Sequence, residues 1–371
     1  MTQRNLYSLS TMFRVLFCGG GSLGHLTPSV AVWETLQEKR RESKAFFVSS
    51  ARSEDRLFLK GLHLPSLPIH APKVQWGMRM LLFPILFPLA CLEALCILLF
   101  FRPHVIFSKG GYVSVPVCLM GRLLFRPIVL HESDRIMGRA NRFLLRLACH
   151  LCIGSPQKEI LNGDLATKIG LPVTATGNPI RKNILEGSTD GGRRVTGFSG
   201  KRPVILIIGG SQGSQALNTA VQEDLEELLT VCDIVHITGR DKLGSKMHAR
   251  YLQREVFFEE LQHLYALADV VISRAGAGAI AELSAVGKAT VLVPIPNLAS
   301  HHQEENARFL ELAGAVIVLS QEQLHEELVP TVKMLLTDPE RRRTLGERFH
   351  TFAVPDAAES IANILRETVG K

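Results

Sequence analysis

The chain has 371 residues, 46% of them hydrophobic, 21% charged and 6% aromatic, enough for two folded cores and unlike disordered or fibrous chains. Its net charge of +7 is uneven: residues 1–180 carry 21 Lys and Arg against 10 Asp and Glu, whereas residues 181–371 carry 21 against 25. A basic first half calls for an anionic partner, and the absence of RNA-type basic motifs with interleaved aromatics argues against nucleic acid. The seven cysteines, an odd count in apolar stretches such as those of Cys91, Cys96 and Cys118, read as reduced packing residues in a cytoplasmic chain.

Residues 1–11 are polar and the apolar run Phe13 to Cys18 is too short for a signal sequence, so none is expected at this end, with Met12 an alternative start. From there short apolar runs alternate with helical patterns. FRVLFCGG reads as a strand, followed by a helix from about Thr27; AFFVSS, HVIFSKGG and PIVLHESD read as further buried parallel strands. Between them, Leu81 to Phe101 carries a single charge, Glu93, and is long enough to cross a bilayer. Pro84 and Pro88 and the α/β pattern on both sides oppose a span. A buried core helix and a helix lying on a membrane surface are the alternatives, the latter favoured by Lys73, Trp76, Arg79 and Arg102 at its flanks. After a Gly/Ser/Arg-rich stretch near 187–202 the pattern restarts: PVILIIGGSQG, a helix through Leu229, DIVHITGR, a short element near Val256, ADVVISRAGAG and ATVLVPIP. The fold class expected is α/β, two Rossmann-like domains facing each other across a cleft, since parallel sheets bind ligands at the carboxyl ends of their strands.

The first glycine loop, Gly19-Gly20-Gly21-Ser22-Leu23-Gly24, satisfies G-x-G-x-x-G, but its second strand ends Val48-Ser49-Ser50 with no carboxylate until Glu54, against a dinucleotide site. What remains is a loop that lets a diphosphate approach backbone N–H groups at a helix N-terminus. His25 lies just past it, either a general base near neutral pH or a histidine bonded to a neighbouring loop. The second loop, Gly209 to Ser214, offers donors for another phosphate group; neither loop has the Lys-[Ser/Thr] ending of a P-loop. A third turn, Arg274 to Ala279, leads into a helix carrying Glu282, placed either to bind ribose hydroxyls or simply to favour the helix N-terminus. Arg181 at the junction of the halves can neutralise a leaving diphosphate, and the amides near His301 and His302 suit sugar hydroxyls. Cys149-His150-Leu151-Cys152 has no second pair and reads as core; no metal site is expected.

Three phosphate-type turns, a ribose carboxylate and a junction arginine resemble a GT-B nucleotide-sugar glycosyltransferase. More closely, GGSLGH, SKGGYVS, VLHESD, TGNPIR, GGSQGS, ADVVISRAG and the Glu282 helix occur in the order and spacing of the MurG family, from about Phe13 to Ala315. The resemblance implies inverting transfer of GlcNAc from UDP-GlcNAc to the C4 hydroxyl of MurNAc on undecaprenyl-diphosphate-MurNAc-pentapeptide, lipid I to lipid II, in peptidoglycan synthesis, with no cofactor or metal. It implies that Phe258, next to Phe257, contacts the uracil; that Glu282 holds the ribose; that Ser211, Gln212 and Arg181 meet the diphosphate; and that His302, Gln303 and Asn306 contact the GlcNAc. Gly21, Ser22 and Gly24 with Gly110, Gly111 and Tyr112 would meet the acceptor diphosphate. His25 leads as the base, with Asp134 the other candidate. An acceptor half, 12–180, completed by a C-terminal helix at about 355–371, and a donor half, 181–354, follow from the same likeness. So do a peripheral place on the cytoplasmic side of a membrane with anionic lipids and a wall-synthesis complex as partner. Leu23 departs from a glycine usual in the family, Asp134 from a frequent asparagine, and Gly278 and Ala279 from a bulkier or hydroxylated pair. The rivals are a lipid glycosyltransferase, a UDP-GlcNAc 2-epimerase and a non-catalytic nucleotide-sugar-binding scaffold.

Overall fold

The apolar runs form two separate all-parallel sheets. The computed structural model describes residues 12–21, 23–39, 42–73, 82–155, 170–210, 212–256, 259–296 and 301–370. In the first sheet the strands are β1 (Phe13–Cys18), β2 (Ser43–Ser50), β3 (Ser66–Ile69), β4 (Val105–Ser108), β5 (Ile128–Glu132), β6 (His150–Ile153) and β7 (Val173–Ala175), in the order β3-β2-β1-β4-β5-β6-β7. In the second they are β8 (Val204–Ile208), β9 (Asp233–Ile237), β10 (Tyr251–Arg254), β11 (Val270–Ser273), β12 (Ala289–Leu292) and β13 (Ile317–Val318), in the order β10-β9-β8-β11-β12-β13. Both sheets therefore reverse direction beside their first strand, between β1 and β4 and between β8 and β11, which opens a crevice at the carboxyl ends of those strands. Burial on both faces explains the continuous apolar runs: every residue of β4, β5, β8, β9, β11 and β12 is buried.

Helix α1 (Leu23–Lys39) starts four residues earlier than Thr27-Pro28 predicts, and Pro28 lies inside it. A Thr-Pro pair reads as a cap and first helical position, but buried Leu26 and Val30 anchor the first turns to the sheet, which outweighs the one bond Pro28 forfeits. The glycine loop consequently runs straight into the helix N-terminus. Helix α2 (Ser53–Gly61) follows β2. Helix α3 (Phe83–Phe101) has a mean hydropathy of 2.3, yet only 22% of its apolar window is buried, which corrects the core-helix reading. Ala90, Ala94, Ile97 and Leu98 form its packed stripe on the first sheet's core and on α4 (Ser114–Leu123), while Ile85 (62%) and Phe100 (84%) face outward. Its lone charge is satisfied: Glu93 Oε2 accepts from the His70 N–H at 2.8 Å, and its Oε1 lies 2.8 Å from His70 Nδ1. Helix α5 (Arg139–Leu144) then follows β5.

In the second sheet, the helix expected through Leu229 breaks at Asp224 into α6 (Gln215–Glu223) and α7 (Leu225–Val231). Helices α8 (Leu261–Leu267), α9 (Ala277–Val286) and α10 (His302–Leu312) complete the surroundings of the crevice. The last helix, α11 (Ala357–Gly370), returns to the first sheet and packs on α1, burying Ala358, Ile361, Ala362 and Leu365 in the core of Phe13, Val15 and Phe17. The chain thus crosses between the sheets twice. The crossings touch: Gly177 adopts φ +78°, and a Cβ there would lie 2.5 Å from Val354 Cβ.

All seven cysteines are free; Cys18, Cys118, Cys152 and Cys232 pack in the cores, whereas Cys96 and Cys149 are exposed, so those two do not pack as expected. Truncating the fully buried Leu365 to alanine should lower unfolding free energy by about 2–5 kcal/mol, measured by chemical denaturation. An unchanged midpoint would show that α11 is dispensable to the first sheet.

Candidate functional site

The two crevices face each other, and glycine makes the closest approaches possible. Gly20 follows β1 with Ser50 N only 2.6 Å from where a Cβ would sit. Gly21 (φ +94°) lies against the Tyr112 ring, and Gly111 (φ +78°) against the Gly20 carbonyl and the edge of His25. The structure therefore brings Gly21, Gly110, Gly111, Tyr112 and His25 together. Their peptide groups are less available than the sequence suggests. The Gly21 N–H donates to Asp55 Oδ2 at 2.9 Å, the Gly110 N–H donates to Ser108 Oγ at 3.2 Å, and the Gly21 carbonyl accepts from Arg52. These glycines supply clearance, and the N-terminus of α1, where Gly24 is exposed, supplies the dipole. Ser22, Ser211, Phe257 and Phe258 lie outside the described residues, as do Trp76 and Arg79.

Three hydrogen bonds tie the loops at the mouth of the cleft. Gln212 Nε2 donates to the Gly21 carbonyl at 3.3 Å, joining the second glycine loop to the first across 191 positions. Lys242 Nζ donates to the Gln212 carbonyl at 2.7 Å, and Arg240 donates to Ser53 Oγ at 3.1 Å. Arg52, Arg240 and Lys242 thus surround the meeting point with positive charge, and only Arg52 belongs to the basic half.

His25 has one nitrogen committed. Its Nδ1 lies 3.1 Å from the Lys109 carbonyl, which can only accept, so Nδ1 carries the proton and Nε2 keeps its lone pair. Burial first, then the Lys109 ammonium, hold its pKa below 6.5, against the opposing effects of Asp134, the hydrogen bond to the Lys109 carbonyl, and Asp55. The ring thus bonds a neighbouring loop while its other nitrogen stays unprotonated. Asp134 is placed differently. Its Oδ1 accepts from Asn306 Nδ2 at 2.8 Å; the same amide donates to the Ala275 carbonyl, and Asn306 Oδ1 accepts from the Arg135 N–H. Asn306, expected at the sugar, is here a buried clasp between the sheets. Beside it, Arg135 lies 3.8 Å over the Phe309 ring, and a cavity of ≈ 270 Å3 is lined by Ser133, Arg135, Asn178, Ala277, Asn306 and Phe309.

On the other side, the half-buried Glu282 sits in the second turn of α9 and accepts from the hydroxyl of fully buried Tyr265 at 2.9 Å. Burial pushes its pKa up to about 7, against the pull of Tyr265 and Arg181. Arg181 is 3.2 Å from Glu34 of α1, so the junction arginine already bridges the sheets; Gln303 Oε1 accepts from the Ile295 N–H at 3.1 Å, and His302 opens α10. Arg274 anchors the third turn to the second glycine loop. Its guanidinium donates to the Val293 and Pro294 carbonyls, to Ser214 Oγ and to Gln321 Oε1, and burial brings its pKa down to about 10. Among the described residues no group of three or more His, Cys, Asp or Glu is placed to hold a metal ion.

Residues 15–152 match the glycosyltransferase family 28 N-terminal domain and residues 204–361 the C-terminal domain of that family. A Clostridium kluyveri protein named UDP-N-acetylglucosamine–N-acetylmuramyl-(pentapeptide) pyrophosphoryl-undecaprenol N-acetylglucosamine transferase is 34% identical over 369 residues, covering 96% of this chain and 99% of that protein. The chain belongs to the MurG family. A Desulfotalea psychrophila protein of the same name is 31% identical, covering 96% and 97%. The crystal structure of Acinetobacter baumannii MurG superposes with a TM-score of 0.70 at 24% identity, covering 96% of this chain and all of that one. A Neisseria meningitidis UDP-GlcNAc 2-epimerase shares the two-domain GT-B fold at a TM-score of 0.69 and 14% identity, and at that identity the likeness concerns the fold alone.

The sequence assigns no role to Asp55, Lys109, His131 or Arg274, all of which are buried beneath the loops. A lysine between the buried strand VIFS and two glycines was the one available signal. The His25 argument has a direct check: in histidine NMR of the full chain, the ring should titrate below 6.5 as the Nδ1-protonated tautomer. A midpoint at or above 6.5 would overturn the burial argument.

Proposed function

We propose that this chain transfers GlcNAc from UDP-GlcNAc to the MurNAc C4 hydroxyl of undecaprenyl-diphospho-MurNAc-pentapeptide, with inversion. The observation that carries this reading is the near-full-length similarity to relatives named for that transfer, in a chain whose two glycine loops meet at one cleft. Residues 12–180 with α11 form the acceptor half, and 181–354 the donor half. The acceptor hydroxyl attacks the anomeric carbon as the bond to the UDP oxygen breaks, and the hydroxyl proton passes to His25 Nε2. Asp134, clasped by Asn306, is the second candidate for that proton. Arg181 and the N-termini of α1 and α9 counter the charge on the departing diphosphate, together with Ser211 and Gln212. Glu282 accepts the ribose hydroxyls, Phe258 frames the uracil, and His302 and Gln303 meet the sugar. Asn306 reaches the sugar only by exchanging its bond to Asp134, which links opening of the clasp to donor binding. Gly21, Ser22, Gly24, Gly110, Gly111 and Tyr112 shape the acceptor diphosphate pocket.

The acceptor's polyprenyl chain gives α3 its use. Its packed stripe fixes it to the first sheet while its outer face stays apolar, so it lies on the cytoplasmic surface of the membrane with Lys73, Arg79 and Arg102 against anionic lipids, each contributing about 1 kcal/mol. Neutralising those three side chains should release the protein from anionic vesicles on sedimentation, and unchanged binding would remove the surface-helix reading.

Acceptor-dependent transfer of labelled GlcNAc to a short-chain lipid I analogue, insensitive to EDTA, is the expected result. Consumption of UDP-GlcNAc without acceptor would point to the epimerase instead. His25→Ala should lower kcat by about 10²–10⁴-fold, and a loss under threefold would exclude His25 as the base. Because the ionised carboxylate accepts ribose hydroxyls, UDP affinity by calorimetry should rise between pH 6 and 8, following the pKa of about 7 at Glu282. That rise should vanish in Glu282→Gln.

A further inference from the structure

Lys109 is only 3% exposed at the carboxyl end of β4, between the acceptor loops and the sheet. Its Nζ lies 2.6 Å from His131 Nδ1 and donates also to Ser133 Oγ. The geometry fixes the tautomer of that partner. His131 Nε2 is 3.0 Å from the Gly177 carbonyl, an acceptor only, so Nε2 bears the proton and Nδ1 offers its lone pair to the ammonium. A buried ammonium whose hydrogen-bond partners are a neutral imidazole and a hydroxyl contributes little to stability, so its presence needs another reason. Burial lowers its pKa to about 8, against the pull of Glu132 and Asp134. Glu132 is occupied elsewhere, accepting from Asn141 Nδ2 and from the Gly138 and Asp134 N–H groups. The carbonyl of the same lysine accepts the hydrogen bond from His25 Nδ1–H.

We propose that Lys109 is a positioning residue for the acceptor-side base: its carbonyl sets which nitrogen of His25 faces the cleft, and its clamped ammonium sets the field on that ring. The inference rests on the reading of His25 as the base. The charged groups acting on the ring are Lys109, Asp134 beyond β5 and Asp55 on α2, and only the lysine disfavours the imidazolium. Without it, burial alone would oppose two carboxylates and the hydrogen bond to the Lys109 carbonyl, and the ring would hold a proton at higher pH. The network also reaches the first crossing between the sheets, because His131 ends on Gly177 and Asn178 Nδ2 donates to the Ser133 carbonyl at 3.1 Å. His25 is thereby linked, through Lys109, to the first crossing between the sheets.

The test is histidine NMR titration of the full-length protein, wild type, Lys109→Met and Lys109→Arg, paired with kcat/KM against pH using the lipid I analogue. In Lys109→Met the His25 midpoint should rise by about half a unit or more, and the acidic limb of the rate profile should rise with it. Lys109→Arg, which keeps the charge, should leave the midpoint near the wild-type value. A His25 midpoint unmoved in Lys109→Met overturns the proposal. A midpoint that moves while the rate profile does not would leave Lys109 governing the ring and remove His25 as the base, so the two readings fail separately. If Lys109→Met does not fold, the unmodified protein decides: the His25 resonances should show a second inflection near pH 8 as Lys109 loses its proton. A flat response there overturns the proposal equally.

Discussion

Where β1 and β4 part, their crossover helices pass to opposite faces of the sheet, α1 into one core and α4 into the other, and the loops that close the opening between them come together through glycines. That constraint decides most of what surrounds it. Any side chain at Gly20 or Gly111 would strike the neighbouring loop, so the loops meet through peptide groups and leave their outer surface free for a ligand. The same parting between β8 and β11 holds the second glycine loop and the third turn, and Arg274 braces them from below. Two such openings facing one another make a cleft with a helix N-terminus on each wall.

Much of this was legible in the sequence because it is written in backbone terms. Continuous apolar runs mark strands buried on both faces, glycine clusters mark the turns after them, and the motif order pointed to the family. What escaped depends on distant packing. The start of α1 is set by Leu26 and Val30 docking on the sheet, and a local Thr-Pro signal cannot report that. The strands β7 and β13 have three and two residues, too few to show a period. Asp55 escaped for a different reason: the search for an acidic residue at the end of β2 assumed a ribose partner, whereas this carboxylate turns inward to hold Gly21 and Ser50. Lys109 and His131 are conventional surface or catalytic residue types, and only burial shows them to be a clamp.

The charge asymmetry also changes meaning in three dimensions. The excess of cations in the first half calls for an anionic partner there; in the structure Arg181 and Glu34 bridge the sheets, and Arg240 and Lys242 reach the first glycine loop's surroundings from the second sheet. Both walls contribute positive charge at the mouth.

The return of α11 to the first sheet has a mechanical consequence. A single covalent connection between two bodies permits swinging and twisting alike, but here two crossings touch at Gly177 and Val354. The contact holds the two connections side by side. Twisting one half against the other would have to part that contact as well as the bonds of Gln212 to Gly21 and of Asn306 to Asp134.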